Sequence, residues 1–395
     1  MLRKLLPAAL ALALVGAACA TDGDGDNGGD NGGEVGGTFL IGYGADLSDI
    51  YAFYDVPIQE GAQMAVDEIN EAGGVLGAEL ELRTIDIRND VAEGADVVQQ
   101  LIDDGAGYLI GTTGDAFLSE AAIACQSGIP ISTGDGTAPT LVADAGECAF
   151  QLIMSDNVQG ATLAQWASDE GHQTAYVIGS SEIPYTANLP RYFTEAFENA
   201  GGTVVGEGEY QIGAADYSAV VTRIRNASPT PDAIFTPMFV PDTQVFLRQL
   251  RQAQVDVPVA STDGNLDPSL TDAGAQALDG FTFTASVCPP EEDPGIQTWM
   301  NAYEERYGSQ PSSAIAALGY DEVYVLKAAI EAGESTEPTD IISALGTVTH
   351  DGVTGSIEMD PETRRARKSA ALVQMDGDAF TCLGQPGYPA FVPEP

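Results

Sequence analysis

The feature that most constrains this chain is an alternation of short apolar runs with helical periodicity, which begins near Thr38. Residues 39–41 form an apolar run typical of a buried strand. Apolar residues then recur at helical spacing, at Ile58, Ala62, Ala65 and Ile69. Further strand-like runs follow at 80–87, 108–110 and 129–131. Because parallel strands need long crossover connections, this alternation predicts a parallel sheet with helices on both faces.

The same cycle restarts after a break near residues 152–160. Strand-like runs separated by helical periodicities lie at 175–178, 204–205, 233–235 and 257–260. Residues 295–346 are predicted to be helical throughout, and short strands are predicted near 354–358 and 369–375. The sequence therefore predicts an α/β protein with two doubly wound units, which suits a length of 395 residues.

Small polar residues follow several of the predicted strands. These clusters lie at 111–115, 132–137, 179–182 and 261–264. In open α/β sheets, ligands bind at the carboxyl ends of the strands, where helix N-termini present N–H groups. A single Ser, Thr or Asp at such a place is more often a helix cap. Because clusters occur in both halves of the chain, they favour a shared binding crevice between two lobes.

The N-terminus has the pattern of an export signal. Arg3 and Lys4 precede an apolar stretch at 5–15, which is too short to remain as a membrane span. Residues 14–19, LVGAAC, resemble a bacterial lipobox, so residues 1–18 are predicted to be a lipoprotein-type signal peptide and Cys19 the lipidated residue. The alternative is an ordinary signal peptide that is cleaved near Ala18 or Ala20.

The segment that follows Cys19 is predicted to be a flexible acidic tether, residues 19–37. Residues 21–34 are rich in Gly and Asp and contain no apolar side chain, so they cannot bury surface. A calcium-loop interpretation fails because an EF-hand that starts at Asp22 would have Asn27 at position six and Gly33 at position twelve.

The charge balance excludes some partners. The chain has 59 acidic and 15 basic residues, a net charge of −44, which disfavours nucleic acid and anionic lipid. Two interpretations remain, namely steering of a cationic ligand and adaptation to high salt. Because the acids are scattered along the chain and only three lysines occur, salt adaptation is favoured.

Four cysteines follow Cys19, and an even number in an exported chain predicts two disulfides. Cys125–Cys148 would close a short loop and Cys288–Cys382 a long one, although the sequence leaves other pairings open. The absence of a CxxC motif and the presence of only two histidines argue against a metal site.

The sequence gives little support for an enzyme. It contains no GxSxG, P-loop or GxGxxG motif at a strand–helix junction. His172 and His350 have no partner that the sequence reveals, so both are interpreted as surface histidines rather than general bases. We therefore expect no catalytic activity and no cofactor.

The chain resembles the solute-binding proteins of branched-chain amino acid uptake systems, the leucine-binding type with a type I periplasmic-binding fold. The resemblance runs from about Phe39 to Met375. Its markers, in order, are Ile41-Gly42, residues 61–70 (GAQMAVDEIN), residues 73–77 (GGVLG), Leu109-Ile110-Gly111, Gly128-Ile129-Pro130 and Thr137-Ala138-Pro139.

The resemblance implies two lobes joined by three hinge crossings, which we expect near 152–155, 284–287 and 367–371. Lobe one would comprise residues 38–153 and 286–368, and lobe two residues 154–285 and 369–395. It also implies a monomer that presents its solute to an ABC permease and contacts the membrane only through its lipid anchor.

The resemblance implies a ligand site as well. A solute α-carboxylate would be held by hydroxyl and N–H groups of two segments, 112–115 and 135–137, and Gly114 or Asp115 takes the position of the family's usual serine. The candidate contacts in these segments are Thr112, Thr113, Asp115, Asp135 and Thr137. The ammonium group would meet Asp263, and aromatic walls would come from Tyr54, Tyr185 and Phe239.

Asp115 and Asp135 occupy positions that are neutral in the family. We favour an interpretation of both as helix caps, because carboxylates beside a bound anion would repel it. If they face the cleft, the ligand carries more positive charge or more hydroxyl groups than leucine. The resulting hypothesis is a receptor for an amino acid or a related small polar solute. The alternatives are a ligand-sensing receptor of the same fold, and a binder of an amide, a urea-like compound or a cation.

Overall fold

A computed structural model describes residues 36–114 and 116–395. Cys19, the predicted signal peptide and nearly all of the predicted tether lie outside the described residues, as does Asp115. The first sheet has eight strands in the order β11-β12-β13-β5-β4-β3-β1-β2. Their bounds are β1 Gly37–Ala45, β2 Ala78–Asp86, β3 Ala106–Gly111, β4 Ile131–Thr133, β5 Ala149–Gln151, β11 Thr349–Gly352, β12 Gly355–Asp360 and β13 Arg365–Ala366.

The second sheet has seven strands in the order β15-β14-β10-β9-β8-β6-β7. Their bounds are β6 Thr174–Gly179, β7 Thr203–Glu209, β8 Ala233–Phe235, β9 Val259–Ser261, β10 Thr282–Ala285, β14 Ala371–Asp376 and β15 Ala379–Gly384. The first five strands of each sheet are parallel and have the same spatial order, which places the second strand at one edge. The predicted two doubly wound units are confirmed.

Helices cover both faces of each sheet. Their bounds are α1 Ala52–Glu71, α2 Val91–Asp103, α3 Phe117–Ser127, α4 Thr140–Ala145, α5 Asp156–Asp169, α6 Pro184–Asn199, α7 Ser218–Arg225, α8 Asp242–Gln252, α9 Ala275–Leu278, α10 Pro294–Tyr307, α11 Ala316–Gly333 and α12 Pro338–Leu345. Helices α1, α11 and α12 pack on one face of the first sheet, and α2, α3 and α4 pack on the other. Helices α5 and α6 cover one face of the second sheet, and α7, α8 and α9 the other.

Helices α1 and α11 approach each other through two glycines. A Cβ atom on Gly61 would overlap the carbonyl of Ala316, and one on Gly319 would overlap the carbonyl of Ile58. The absence of side chains at these two positions therefore allows the helix backbones to touch, which fixes α11 against the helix that begins at the end of β1.

Two of the sequence predictions were wrong. Residues 295–346 are not helical throughout: α10 ends at Tyr307, before Gly308 with its positive φ of 81°, and α12 begins separately at Pro338. The predicted break at 152–160 is shorter than expected, because α5 begins at Asp156. Residues on nearly all sides of α5 are buried, so this helix lacks the one-sided apolar periodicity that reveals a surface helix.

The chain passes between the two sheets three times within the described residues, after β5, after β10 and between β13 and β14. Two disulfides join Cys125 to Cys148 and Cys288 to Cys382. The second one ties the segment that follows β10 to β15. Among the helices of residues 36–114 and 116–395, none has the length and apolar character needed to cross a membrane.

Candidate functional site

The carboxyl ends of β6 and β9 bring together the polar groups that the sequence assigned to the second lobe. The Tyr185 hydroxyl, at the start of α6, donates to Asp263 Oδ1 at 2.6 Å, and the Thr262 hydroxyl lies 2.6 Å from the same tyrosine oxygen. The Phe239 ring meets the Tyr185 ring edge to face, with centroids 6.4 Å apart. Aromatic surface therefore flanks the carboxylate of Asp263.

Gln159 on α5 connects this group to the sheet and to the first lobe. Its side-chain oxygen accepts from the Asp263 N–H at 3.2 Å and from the Thr284 hydroxyl at 2.6 Å. Its amide nitrogen lies 3.4 Å from Asp156 Oδ1. The Asp156 N–H in turn donates to the carbonyl of Thr137 at 2.8 Å, so the β4–α4 loop and the N-terminus of α5 are in direct contact.

Asp156 is a member of the site that the sequence analysis missed. It is 1% exposed, and its Oδ2 has no hydrogen-bond partner among the described residues. Burial raises the pKa of its carboxyl, and the charge of Asp263 raises it further, while a hydrogen bond from Thr137 lowers it. The only available signal was its place directly after the predicted hinge crossing at 152–155.

Asp135, in the β4–α4 loop, interacts electrostatically with Asp263. It is 8% exposed, and its Oδ1 has no hydrogen-bond partner in the described part of the chain. Burial raises the pKa of its carboxyl, as do the charges of Asp263 and Asp55, whereas Lys368 lowers it. The interpretation of Asp135 as a helix cap is therefore wrong.

The loop around Asp135 shows why it caps nothing. Helix α4 begins only at Thr140, after Pro139, and has no side-chain cap. The nearby N–H of Gly136 is bound instead by the Thr133 hydroxyl at 2.8 Å. The Asp135 carboxylate therefore binds neither the N-terminus of α4 nor the Gly136 N–H.

Tyr54 lies in the first turn of α1 and is half-buried. Burial raises the pKa of its phenol, and the charges of Asp263 and Asp135 raise it further. Its electrostatic neighbours therefore come from both sheets. Six residues that the sequence assigned to the site are brought together here: Tyr54, Asp135, Thr137, Tyr185, Phe239 and Asp263.

Thr112 and Thr113 lie at the end of β3, where their polar groups contact buried acids of the protein itself. The Thr112 hydroxyl donates to Asp55 Oδ2 at 2.5 Å, and the Thr113 N–H donates to Asp55 Oδ1 at 3.0 Å. The Thr112 N–H donates to Glu120 Oε2 at 3.0 Å. Burial raises the pKa of Asp55 to about 6, although these hydrogen bonds oppose the rise.

Lys368 lies in the third segment that connects the sheets and is 1% exposed. Its Nζ donates to the Thr354 hydroxyl, which also donates to Asp321 Oδ2 at 2.5 Å. Burial lowers the pKa of Lys368 to about 8, against the opposing effects of Asp321 and Asp135. The Lys368 ammonium group therefore interacts with Asp321, to which Thr354 links it, and with Asp135.

The arrangement suits capture of a small polar or cationic solute. It combines three carboxylates with three aromatic side chains at the carboxyl ends of two parallel sheets, which is where ligands bind in open α/β folds. Among the described residues, no group of three His, Cys, Asp or Glu side chains has the arrangement of a metal site.

Comparisons with known proteins agree with this architecture. A family model described as periplasmic binding protein matches residues 38–379. The Leu/Ile/Val-binding protein of Rhizobium johnstonii is 26% identical over 330 residues, which cover 80% of this chain and 88% of that protein. The crystal structure of a leucine-binding protein of Thermotoga maritima is 27% identical, with a TM-score of 0.75, and the match covers 88% of this chain and 99% of that one.

One solved structure with this fold contains a bound aromatic acid. A solute-binding protein of an ABC transporter from Rhodopseudomonas palustris, solved in complex with 3,4-dihydroxybenzoic acid, has a TM-score of 0.75 at 18% identity. The match covers 91% of this chain and 99% of that chain. At this identity the likeness concerns the fold alone.

Proposed function

The chain belongs to the periplasmic binding protein family, and from this premise we propose that it is the solute-binding component of an ABC-type uptake system. Its solute is an amino acid or a related small polar molecule, in keeping with the names of the relatives. The observation that carries the proposal is the pairing of Asp263 with Tyr185 at the end of β9, opposite Tyr54 and Asp135 of the other sheet.

We assign roles to the site residues on the basis of these contacts. Asp263 binds an ammonium group of the solute, and Tyr185 orients that carboxylate. The aromatic rings of Tyr54 and Phe239 cover the solute, while Thr112 and Thr113 shape the wall of the cleft through Asp55. Asp115, which lies outside the described residues, is kept as a proposed contact from the sequence alone.

We propose lobe boundaries that follow the sheets. Lobe one comprises residues 38–153 and 286–368, and lobe two residues 154–285 and 369–395. The membership of the strands in the two sheets supports this division, because β1–β5 and β11–β13 form one sheet and the remaining strands the other. The two lobes close on the solute, and the closed monomer then docks on the permease.

The proposed location is outside the cytoplasmic membrane. Residues 1–18 act as the export signal, Cys19 carries a lipid anchor, and residues 19–37 are the tether that lets the protein reach the permease. The sequence supports each step, although all three segments lie wholly or mostly outside the described residues. The acidic surface is proposed to be an adaptation to high salt.

Titration calorimetry with a panel of amino acids, amides and polyols tests the proposal. We expect one class to bind, and we expect Asp263→Asn to weaken that binding well over tenfold, because a buried charge partner is lost. Asp376→Asn removes the same charge from an exposed position at the far end of β14 and serves as the control. Equal affinity of Asp263→Asn and the wild-type protein would contradict the assignment.

A further inference from the structure

Most donors of the loop after β3, where a solute carboxylate would bind, already form hydrogen bonds within the protein. The N–H of Thr112 donates to Glu120, and the Thr112 hydroxyl and the Thr113 N–H donate to Asp55. The Gly114 N–H donates to Thr112 Oγ1 at 3.2 Å. The Thr113 hydroxyl is buried without a partner among the described residues, so it is the one donor of residues 112–114 that this loop leaves for a solute anion.

The second loop of the first lobe is also hydrogen-bonded within the protein. The Gly136 N–H donates to Thr133 Oγ1 at 2.8 Å, and the Thr137 carbonyl accepts from the Asp156 N–H at 2.8 Å. Beside them stands Asp135, more than nine-tenths buried and with Oδ1 unpartnered among the described residues. A buried carboxylate oxygen without a donor is costly, so the site as it stands calls for a donor from outside the chain.

A solute with a cationic group beside Asp135 would supply that donor. Asp135 lies two residues before Thr137, whose carbonyl accepts from the N–H of Asp156 at the start of α5, so a group that reaches Asp135 is close to residues on both sides of this contact. The charges of Asp135 and Asp263 also affect each other. Lys368 does not remove the need, because its Nζ donates to Thr354 and its charge is shared with Asp321.

The aromatic side chains are consistent with a cation. The Tyr185 and Phe239 rings lie beside Asp263, and the charges of Asp263 and Asp135 act on Tyr54. The faces of aromatic rings attract ammonium and guanidinium groups. A cation beside Asp135 would lower the pKa that burial raises and favour the charged form of this acid, as Lys368 does. A zwitterion such as leucine would instead bring its own carboxylate toward Asp135, and the ionised forms of the two groups repel each other.

We propose that the solute carries a net positive charge, with one cationic group at Asp263 and a second at Asp135. The class is therefore small organic dications and basic amino acids, with ammonium or guanidinium groups. This inference rests on the proposed function and narrows its substrate. A bare metal ion does not fit, since the described acids are not arranged as a metal site.

Calorimetry on the mature protein tests the charge requirement directly. The probes are L-leucine, L-lysine, L-arginine, 1,4-diaminobutane and calcium chloride, each in low salt and in molar sodium chloride. We expect at least one of the net cations to bind at least tenfold more tightly than L-leucine. Tighter binding of L-leucine than of every cation overturns the inference and leaves the proposed function intact.

The remaining outcomes of the calorimetry also test the inference and the proposed function. Binding of calcium without any organic cation overturns the inference and counts against the proposed function as well. Failure of every probe to bind in either salt overturns the inference and counts against uptake of an amino acid or amine. The two ideas can therefore fail separately or together, and the results distinguish these cases.

The variant Asp135→Asn tests where the second cationic group binds. We expect it to weaken binding of the net cation at least tenfold and to leave L-leucine binding equal or stronger, because a like charge is removed from the carboxylate. Asp376→Asn is the control of equal charge change. Since the Asp135 carboxylate supports no cap, the fold should tolerate the change, and thermal unfolding will verify this. Unchanged affinity for the cation overturns the placement.

Discussion

The Tyr185 hydroxyl lies 2.6 Å from Asp263 Oδ1, and the two residues are brought together from different strand ends, since Tyr185 begins the helix after β6 and Asp263 follows β9. The hydrogen bond lowers the pKa of the Asp263 carboxyl, which burial raises. Tyr185 therefore stabilises the charged form of the acid that is proposed to bind the solute. It acts as a positioning residue for this carboxylate as well as a wall of the site.

Replacing Tyr185 by phenylalanine keeps the ring and removes this bond. We expect Tyr185→Phe to weaken solute binding about tenfold or more, since a hydrogen bond to a charged group contributes about 1.5 to 3 kcal/mol. The loss should grow as the pH falls toward the pKa of Asp263, because the variant binds that proton more tightly. Calorimetry over a range of pH measures both effects.

The matched control is Tyr307→Phe, which removes a hydroxyl that donates to Asp67 on the surface at 2.6 Å. Its affinity and pH dependence should equal those of the wild-type protein. If the two variants behave alike, Tyr185 does not tune Asp263.

The sequence predicted where the site residues lie in the fold better than it predicted their hydrogen-bond partners. The polar clusters after β3, β4, β6 and β9 lie at the carboxyl ends of their strands, as expected from the strand–helix alternation. The partners of each side chain were not predictable, because they come from distant parts of the chain. Thr112 binds Asp55, 57 positions away, and Gln159 binds Thr284, 125 positions away.

The errors in the fold have physical causes too. Helix α5 is buried on most sides, so its apolar and polar residues do not alternate at a helical period. Residues 295–346 kept a helical composition across two breaks, one of them at Glu334, where the backbone has a positive φ of 50°. Such breaks depend on packing around them and leave a weak signal in one sequence.

The contact between α1 and α11 gives a prediction for stability. Gly319→Ala should lower the free energy of unfolding by about 3 kcal/mol, because the new methyl group would overlap the carbonyl of Ile58 and push the helices apart. Gly333→Ala, in the same helix, would meet the Ala344 side chain at 3.6 Å and the Asp340 carbonyl at 3.7 Å, both ordinary contacts, and should change stability by less than about 1 kcal/mol. Chemical denaturation compares them, and equal losses would contradict the close contact.

The acidic surface predicts stabilisation by salt. The net charge of −44 creates self-repulsion, and the Debye length falls from about 10 Å at 0.1 M to about 3 Å at 1 M. We expect Tm to rise by about 5 °C over this range, which corresponds to about 4 kcal/mol for a chain of this size. Differential scanning calorimetry measures the rise.

Salt also strengthens hydrophobic burial, so the control must separate the two effects. The variant with Asp272→Asn, Glu291→Gln, Glu292→Gln and Asp376→Asn removes four exposed negative charges. Its Tm should rise less with salt than that of the wild-type protein. An equal rise in both would assign the stabilisation to hydrophobic burial and contradict the electrostatic explanation.

The buried network around Glu322 gives a prediction for pH. Glu322 on α11 is 2% exposed and accepts a hydrogen bond from Ser132, which also contacts the Tyr108 hydroxyl. Burial raises the pKa of Glu322 to about 7, with a further contribution from Asp55. Because the folded state holds this proton more tightly than the unfolded state, the Glu322 contribution to stability falls as pH rises through this window, between the ordinary glutamate pKa and about 7.

Glu322→Gln keeps the shape of the side chain and removes this titration, so its stability relative to the wild-type protein should improve as the pH rises. At about 1.36 kcal/mol per pKa unit, we expect the difference in unfolding free energy to shift by about 3 kcal/mol in favour of the variant between pH 4.5 and pH 8. Asp55 is present in both proteins, so the comparison isolates the titration of Glu322 together with its interaction with Asp55. Glu331→Gln, which breaks an exposed pair with Lys327 on the same helix, should show no such shift. Urea denaturation at both pH values measures the difference. A difference that does not change with pH would show that folding does not raise the pKa of Glu322.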